Sequence, residues 1–332
     1  MALDTAKTLA SGSTVNKVIQ KYYDKLFLKI AEAKLVHKQL GQHATSIGQG
    51  EGGYGTGLIA WTKWSNLTLI SSGAGEGVPT TTVALSATQV TATPAQYDNA
   101  VSISDILAYT SFGDIMKAAV SRLAYNAGIS IDTVVRNIIS TAGTNVNPNG
   151  AYWSAVASAG STYSTSTITD VRRAVRFLEA QDAFKQADGN FVAVIHPHVL
   201  YDLQGDTTTG GWVDANKYTD ANAEKLMSGE VGKLMGVRFL ATSNSYTRGS
   251  SYDTASAVVA SSTLYVTSYF GQDAFGVTDL QNLKTYIKDF GSGGVGDPTD
   301  KIATAGWKTT FGAAVLNSAF FVNCHNPVSS TA

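Results

Sequence analysis

The chain has 332 residues, 44% of them hydrophobic and only 15% charged, with a formal net charge of -1. That apolar content excludes a disordered chain, and the near-neutral balance argues against a protein that wraps nucleic acid by gripping phosphates, though not against one that encloses it. The single cysteine, Cys324, excludes an intrachain disulfide and a cysteine-based metal cluster. Neither a charged-then-apolar leader nor a run of 18 apolar residues is present, so the expectation is a chain made in the cytoplasm with no membrane span. The length suits two lobes of roughly 100–200 residues. The charged fraction is well below the ~25% of an ordinary globular chain, and the simplest cause is a surface covered by copies of the same chain.

In chain order, residues 1–16 are small and polar and read as an arm. From Val18 to Leu40 the residues Ile19, Tyr22, Tyr23, Leu26, Phe27, Ile30, Ala33 and Val36 recur at helical spacing. Lys17, Lys21, Lys25 and Lys29 form a stripe along that helix. It is either a solvated face or a contact with an acidic neighbour or packaged nucleic acid. GLIAWTKWSNLTLI (57–70) and TVALSATQVTAT (82–93) read as two strands of a long β-hairpin around the turn-rich SSGAGEGVPTTT (71–82). An isolated two-stranded ribbon is marginal in water, so this one must lie on something.

Residues 112–140 carry the strongest helical pattern, about 40 Å long if unbroken, with Gly128 as a possible bend. The Ser/Thr/Ala/Gly segment 141–167 reads as a connecting loop. A helix is expected over 168–184 with Thr169 as N-cap, then a buried strand NFVAVI ending at Ile195, with Pro197 in the first turn of a further helix. GEVGKLMGVRFLATSN (229–244) reads as a turn followed by a strand, and 261–270 as another strand. Residues 276–290 read as a pair of strands or one long bent one, and 306–327 as closing core strands. The mixed order, without regular β-α alternation, gives an α+β class.

The pattern G-x-G-x-x-G occurs in GQGEGGYGTG (48–57) and in GSGGVG (291–296). A dinucleotide loop must follow a strand and open a helix so that the helix N-terminus faces the pyrophosphate. The first run has a helix before it and a strand after it; the second leads into DPTDKIAT, which opens no helix. Both read instead as flexible roots of neighbouring segments, and no cofactor is expected. His196 and His198 flank Pro197 and fit helix capping better than a metal pair. Cys324 and His325 are adjacent on a strand and so face opposite ways. Asp297 and Asp300 sit in a turn and fit Asx-turns. No constellation amounts to an enzyme site.

GNFVAVIHPHVLYDLQGD (189–206), MSGEVGKLMGVRFLATSN (227–244) and DPTDKIATAGWKTTFGAAVLN (297–317) resemble the major capsid proteins of tailed phages, in the family typified by the main head protein of coliphage N-four. Asp297, Pro298, Gly306, Trp307, Lys308 and Asn317 carry the closing motif, and EGVP (76–79) and AKLVHK (33–38) also fit. The resemblance implies the Hong Kong ninety-seven type capsid fold. It implies an N-terminal arm over 1–50, an extended loop over 53–96 lying across a neighbouring subunit, a peripheral domain over 97–165 and 270–325 with 112–140 as its spine helix, and an axial domain over 166–269.

The implied function is self-assembly into pentamers and hexamers of an icosahedral head enclosing double-stranded DNA, without sequence-specific contact. A separate scaffold, a portal and decoration proteins are the further partners expected. Any scaffold is expected to be a separate chain, because no long acidic or coiled-coil leader precedes the arm. The candidates for hinges and assembly contacts are Gly52, Gly53, Gly75, Gly77, Trp61, Trp64 and Trp307. The rival reading from the same fold is the shell of a protein-filled nanocompartment.

Overall fold

The structure, a computed structural model, describes residues 14–32, 34–43, 59–71, 73, 75–77, 82–111, 113–146, 165–206, 212, 230–248, 264–291 and 297–329, with backbone alone for 14–21, 32 and 248. The glycine run 48–57 with Gly52 and Gly53, the first thirteen residues, 147–164 and 292–296 lie outside the described residues, as do the Lys17 and Lys21 side chains.

Helix α1 (Thr14–Glu32) is shorter than the apolar periodicity of 18–40 indicates. Its chain turns at Lys34, whose N–H donates to the Ala31 carbonyl, and a 3-10 turn follows at Lys38–Leu40. Leu35, Val36 and Leu40 keep the spacing of a helix but belong to this turn, which brings His37 against the long helix described below. Strands β2 (Ile59–Trp64) and β3 (Ala87–Ala92) pair antiparallel from Ile59↔Ala92 to Trp64↔Ala87, which is the expected hairpin. Strand β4 (Ala95–Ser104) and helix α2 (Asp105–Thr110) follow.

Helix α3 (Ile115–Thr141) is the spine, capped by Asp114, whose carboxylate accepts from the Lys117 N–H at 3.0 Å. It runs through Gly128 as one helix. The glycine answers a packing demand rather than a bend: a Cβ there would lie 2.7 Å from the Ala31 carbonyl oxygen of α1. Strand β5 (Thr144–Val146) lies in what reads as pure loop.

Helix α4 (Ile168–Ala180) starts two residues earlier than an N-cap at Thr169 would place it. Thr167 is the N-cap and the Asp170 carboxylate accepts from its backbone N–H at 3.0 Å, a reciprocal box that outcompetes Thr169. Strand β6 (Phe191–Ile195) is buried on both faces, and helix α5 (Pro197–Gln204) begins at Pro197 as expected. The segment read as turn-then-strand is a hairpin, β7 (Glu230–Leu234) and β8 (Val237–Ala241). Its two-residue loop, Met235 at φ 50° and Gly236 at φ 75°, has the double left-handed geometry that suits strand twist. Only the glycine half of that signal stands in the sequence.

Strands β9 (Thr247–Arg248) and β10 (Leu264–Phe270) precede two long partners, β11 (Phe275–Lys288) and β12 (Ile302–Val315), and β13 (Phe321–Asn326) closes the fold. The stretch after Gly276 is therefore one strand, about 45 Å long at ~3.3 Å per residue, with pairing irregularities between Asp279 and Lys284.

With β1 (Gln42–His43), the described residues make a four-stranded sheet in the order β1-β11-β12-β4. A seven-stranded sheet runs β5-β13-β10-β6-β8-β7, with β9 beside β10. Its strands 144–146 and 321–326 come from outside the segment 166–269 and complete the sheet that segment begins.

Helix α3 serves both sheets. Its first half sets Val120, Leu123, Ala124 and Ala127 against Phe27 and Ala31 of α1 and against Ala305 and Trp307 of β12. Its second half sets Ile131, Val135 and Ile139 against Val192, Val194, Phe270 and Phe321 of the larger sheet. The far face of that sheet is covered by α4 and α5 through Val171, Leu178, Val199 and Leu203.

Where α3 passes from one core to the other, Asp132 is wholly buried. Its carboxylate accepts from the His37 N–H and His37 Nδ1, both at 2.7 Å, and from Asn244 Nδ2 at 3.1 Å. At the end of α3, Asn323 of β13 donates its amide to the carbonyls of Ile139, Ser140 and Ala142, satisfying groups that a helix terminus leaves open.

Two outcomes test this packing. Gly128→Ala, which raises intrinsic helix propensity by about 1 kcal/mol, is expected to lower stability by about 1–3 kcal/mol because its methyl meets the Ala31 backbone; a denaturant midpoint that rises contradicts the close crossing. Asp132→Ala is expected to cost about 3–5 kcal/mol by stranding His37 and Asn244 in the interior, read from the same unfolding curves of the unassembled chain. A loss under 1 kcal/mol would show that the node is dispensable.

Candidate assembly surface

Among the described residues, the hairpin β2–β3 is seated at its root alone. Ile59 and Ala92 are buried, and Trp61 is half-buried against the four-stranded sheet. The seat is Gly276 of β11, where a Cβ would fall 2.6 Å from the Trp61 indole. Beyond the root the ribbon leaves the body of the chain. Trp64 is 60% exposed, and the segments 65–71 and 82–86 carry Leu67, Leu69, Ile70, Val83 and Leu85 into solvent, with Leu69 at 93% and Ile70 at 80%. Ser65 N–H donates to the Ser86 carbonyl at 2.9 Å, which keeps the two segments together past the last paired residues. At the tip Gly75 is exposed and Gly77 takes φ 75°, in open space. The glycine there lets a turn close.

A second apolar patch lies on α2, where Ile106 and Tyr109 are 70% and 86% exposed. Helix α2 leaves β4 at Ser104, which pairs with Ile302 at the start of β12. The hairpin root lies at the other end of β12, where Gly312 is close to Ala92 and Pro94. Ten strand residues separate the two ends, about 33 Å. The arm and the α2 patch are thus held apart by the length of β12, which is paired on both edges.

The other residues expected to matter divide cleanly. Trp307 is 3% exposed and its indole donates to Asn126 Oδ1 at 3.3 Å, so it fastens α3 to the sheet and is a core residue, not a surface contact. Of the two hairpin tryptophans, Trp61 is taken up by its own chain and Trp64 is exposed. The indicator that separates them is Gly276, which no local pattern around residue 61 reveals.

The groups considered for chemistry are structural. His196 caps α5, its Nδ1 accepting from the His198 N–H at 3.2 Å. Burial, then the neighbouring His198, pulls His196 down to about 4, which keeps it the neutral acceptor a cap requires. Cys324 is buried, and burial pushes its thiol well above the ordinary range, away from the thiolate that a nucleophile requires. Asp297 accepts from the Ile302 N–H at 2.7 Å in the turn before β12. Among the described residues no group of three His, Cys, Asp or Glu is placed to hold a metal, and no helix is long and apolar enough to cross a membrane.

Because the root and the arm differ, their tryptophans should differ. Trp61→Ala is expected to lower the stability of the unassembled chain by about 3 kcal/mol or somewhat more, within the usual cost of truncating a packed aromatic. Trp64→Ala should leave it within about 0.5 kcal/mol. Equal losses in the two unfolding curves would contradict the assignment.

No protein-family model matches the sequence, and no curated protein matches it. Solved structures do. The capsid of Ralstonia phage GP4 superposes with a TM-score of 0.67 at 13% identity, covering 90% of this chain and 93% of that one. The capsid asymmetric unit of cyanophage Pam1 gives 0.59 at 15% identity, covering 88% and 89%. A virus-like particle from Pyrococcus furiosus gives 0.50 at 9% identity, covering 92% and 99%. Identities this low speak for the fold, and the coverage leaves no large part of either chain unmatched. The chain has the α+β fold of the tailed-phage capsid proteins, of Hong Kong ninety-seven type.

Proposed function

We propose that this chain is the major capsid protein of a tailed phage, a structural protein that assembles with copies of itself into the pentamers and hexamers of an icosahedral head around double-stranded DNA. The observation that carries the reading is the extended, apolar hairpin held clear of its own chain. Leu67, Leu69, Ile70, Val83 and Leu85 together present an apolar surface that a free monomer rarely exposes. A surface on an arm, with a second apolar patch on α2 about 33 Å from the arm's root, favours heterologous contacts, arm of one copy to body of the next. Contacts of that kind close into rings when the rotation allows. The low charged content fits the same picture, since much of the surface is then interface.

On this reading 1–50 is the N-terminal arm, 53–96 the extended loop, 97–165 with 270–325 the peripheral domain and 166–269 the axial domain, with α3 as spine. The sequence motifs resemble those of the coliphage N-four head protein family, which is the relationship proposed. Synthesis is in the host cytoplasm, with scaffold, portal and decoration proteins as separate partners, and no catalytic role belongs to the chain. The likeness to a virus-like particle keeps a second reading in view, a protein-filled compartment of the same fold. The contents of the shell decide between them.

Electron microscopy of the purified product, with a nuclease-protection assay on the same fraction, tests the proposal. Closed, roughly isometric particles protecting long double-stranded DNA are expected from infected cells. Shells filled with protein would favour the compartment, and a uniform monomer under assembly conditions would contradict both.

A further inference from the structure

Among the described residues, the edges of the two larger sheets are blunted, with one exception. β1, β5 and β9 are only two or three residues long. β7 has five residues, carries Lys233 and breaks register between Glu230 and Gly232. Past β1, the edge of β11 bears Asp279, Lys284 and Lys288, and its pairing is irregular between Asp279 and Lys284. Short, charged or bulged edges resist pairing with a further strand. β4, at the other edge of the four-stranded sheet, has no such protection. Its ten residues pair with β12 without a break, from Ile302↔Ser104 to Phe311↔Ala95. It holds one charge, Asp98, and no proline. Every residue of it except Tyr97 and Ile103 is exposed.

Two hydrogen bonds show which backbone groups this edge offers. Asp105 N–H donates to the Lys301 carbonyl at 2.9 Å and continues the ladder, so the odd-numbered residues of β4 turn their backbone groups toward β12. Ala100 N–H donates instead to Asn99 Oδ1 at 2.9 Å, a local bond on the free side. The N–H and C=O of one strand residue point the same way, so Gln96, Asp98, Ala100 and Ser102 present theirs outward, as Ser104 does its N–H. This row is self-complementary. Set antiparallel to itself about Ala100, it puts Asp98 opposite a Ser102 hydroxyl and Tyr97 opposite Ile103, with about eight backbone hydrogen bonds. Centred on Asp98 it would lose pairs and set two carboxylates against each other. The local Ala100 bond is exchanged on pairing, while Asn99 stays tied to Asn126 Oδ1 at 3.0 Å.

We infer that the outer edge of β4 is a two-fold contact between copies of this chain, in which β4 pairs antiparallel with its own counterpart around Ala100 and joins two four-stranded sheets into one. Opposed residues of an antiparallel pair point to the same face, so the helices packed on the sheet lie on the same side in both copies. The two-fold axis therefore runs normal to the joined sheet. This orientation rests on the capsid reading and extends it. In a closed shell every copy turns the same face inward, and a two-fold axis between copies is radial. Head-to-tail contacts close a ring and leave one ring unjoined to the next. An isologous strand edge is the second kind of contact that a shell requires.

Cysteine trapping in the full-length chain tests the register. Ala100→Cys sets two thiols on Cα atoms about 5.5 Å apart across the axis, within disulfide reach. The native Cys324 is buried and stays silent. Under mild oxidation with diamide, A100C is expected to run as a covalent dimer, in particles and in concentrated subunits alike. D98C alone and S102C alone should stay monomeric, since like positions lie about 14 Å apart; mixed, the two should link to each other. A second variant needs no cysteine. Ser102→Pro removes an outward N–H that β12 does not use, so it should abolish the dimer in sedimentation with an unfolding midpoint close to that of the unchanged chain. Val101→Pro breaks the ladder itself and should lower that midpoint. Monomeric A100C, equal linking of A100C and D98C, or undiminished dimers of S102P overturn the inference. Loss of assembly in S102P with A100C unlinked would assign the edge to another segment and also overturn the two-fold. Electron microscopy of the unchanged chain reads the capsid proposal separately: shells with A100C unlinked overturn the pairing alone, and linked dimers without shells overturn the proposal beneath it.

Discussion

Everything else in the chain is arranged around one buried carboxylate. Asp132 sits midway along α3, at the point where that helix leaves the small sheet's core and enters the large sheet's core. Burying an ion is costly unless its lone pairs are answered, and here the answers come from three places: the backbone and ring of His37 after α1, and the amide of Asn244 after β8. Arg136, one turn on, holds Asn244 Oδ1 at 3.0 Å and lies over Tyr246. Two distant segments of chain, those of His37 and Asn244, are thus fixed to one helix through this carboxylate. Hydrophobic packing supplies the bulk of the stability on either side, and this node sets where the two cores meet.

A body fixed in this way can present long, thin parts without deforming. β11 and β12 form a stiff paired rail, and α2 and the hairpin stand at its two ends. The hairpin root is locked by Trp61 over Gly276, so the apolar arm leaves the body in a defined direction. In the proposed shell, affinity between subunits would follow from preorganisation of this kind as much as from area, since ordering a loose arm at the moment of contact costs binding energy. Charge is arranged with the same economy. Carboxylates near the core are used in caps and ion pairs, as Asp170 and Asp188 are.

Long, periodic elements were plain in the sequence, and the reason is physical. α3 has a wide apolar stripe because it is packed on both halves, and β6 reads as a continuous apolar run because both its faces are covered. Pro197 gave the start of α5 because no other helix position tolerates it so well. The errors came where tertiary contact decides. The helical spacing of Leu35, Val36 and Leu40 outruns α1 because those residues pack from a turn made to deliver His37. β4 was missed although Tyr97, Val101 and Ile103 alternate, since Asp98 and Asn99 at a sheet edge weaken the pattern. The two-residue loop of the β7–β8 hairpin was hidden at Met235, a residue rarely found at positive φ.

The candidate surface was half legible. The two tryptophans and the projecting ribbon stood out, but the division of labour between Trp61 and Trp64 depends on a glycine far along the chain. Trp307 marked the family resemblance and turned out to be core. The most direct measurement of the central claim is hydrogen–deuterium exchange across residues 65–71 and 82–86, in assembled particles and in dissociated subunits. The account predicts rapid exchange in the free chain and strong protection on assembly, as the arm meets a neighbour. Equal, rapid exchange in both states would contradict it.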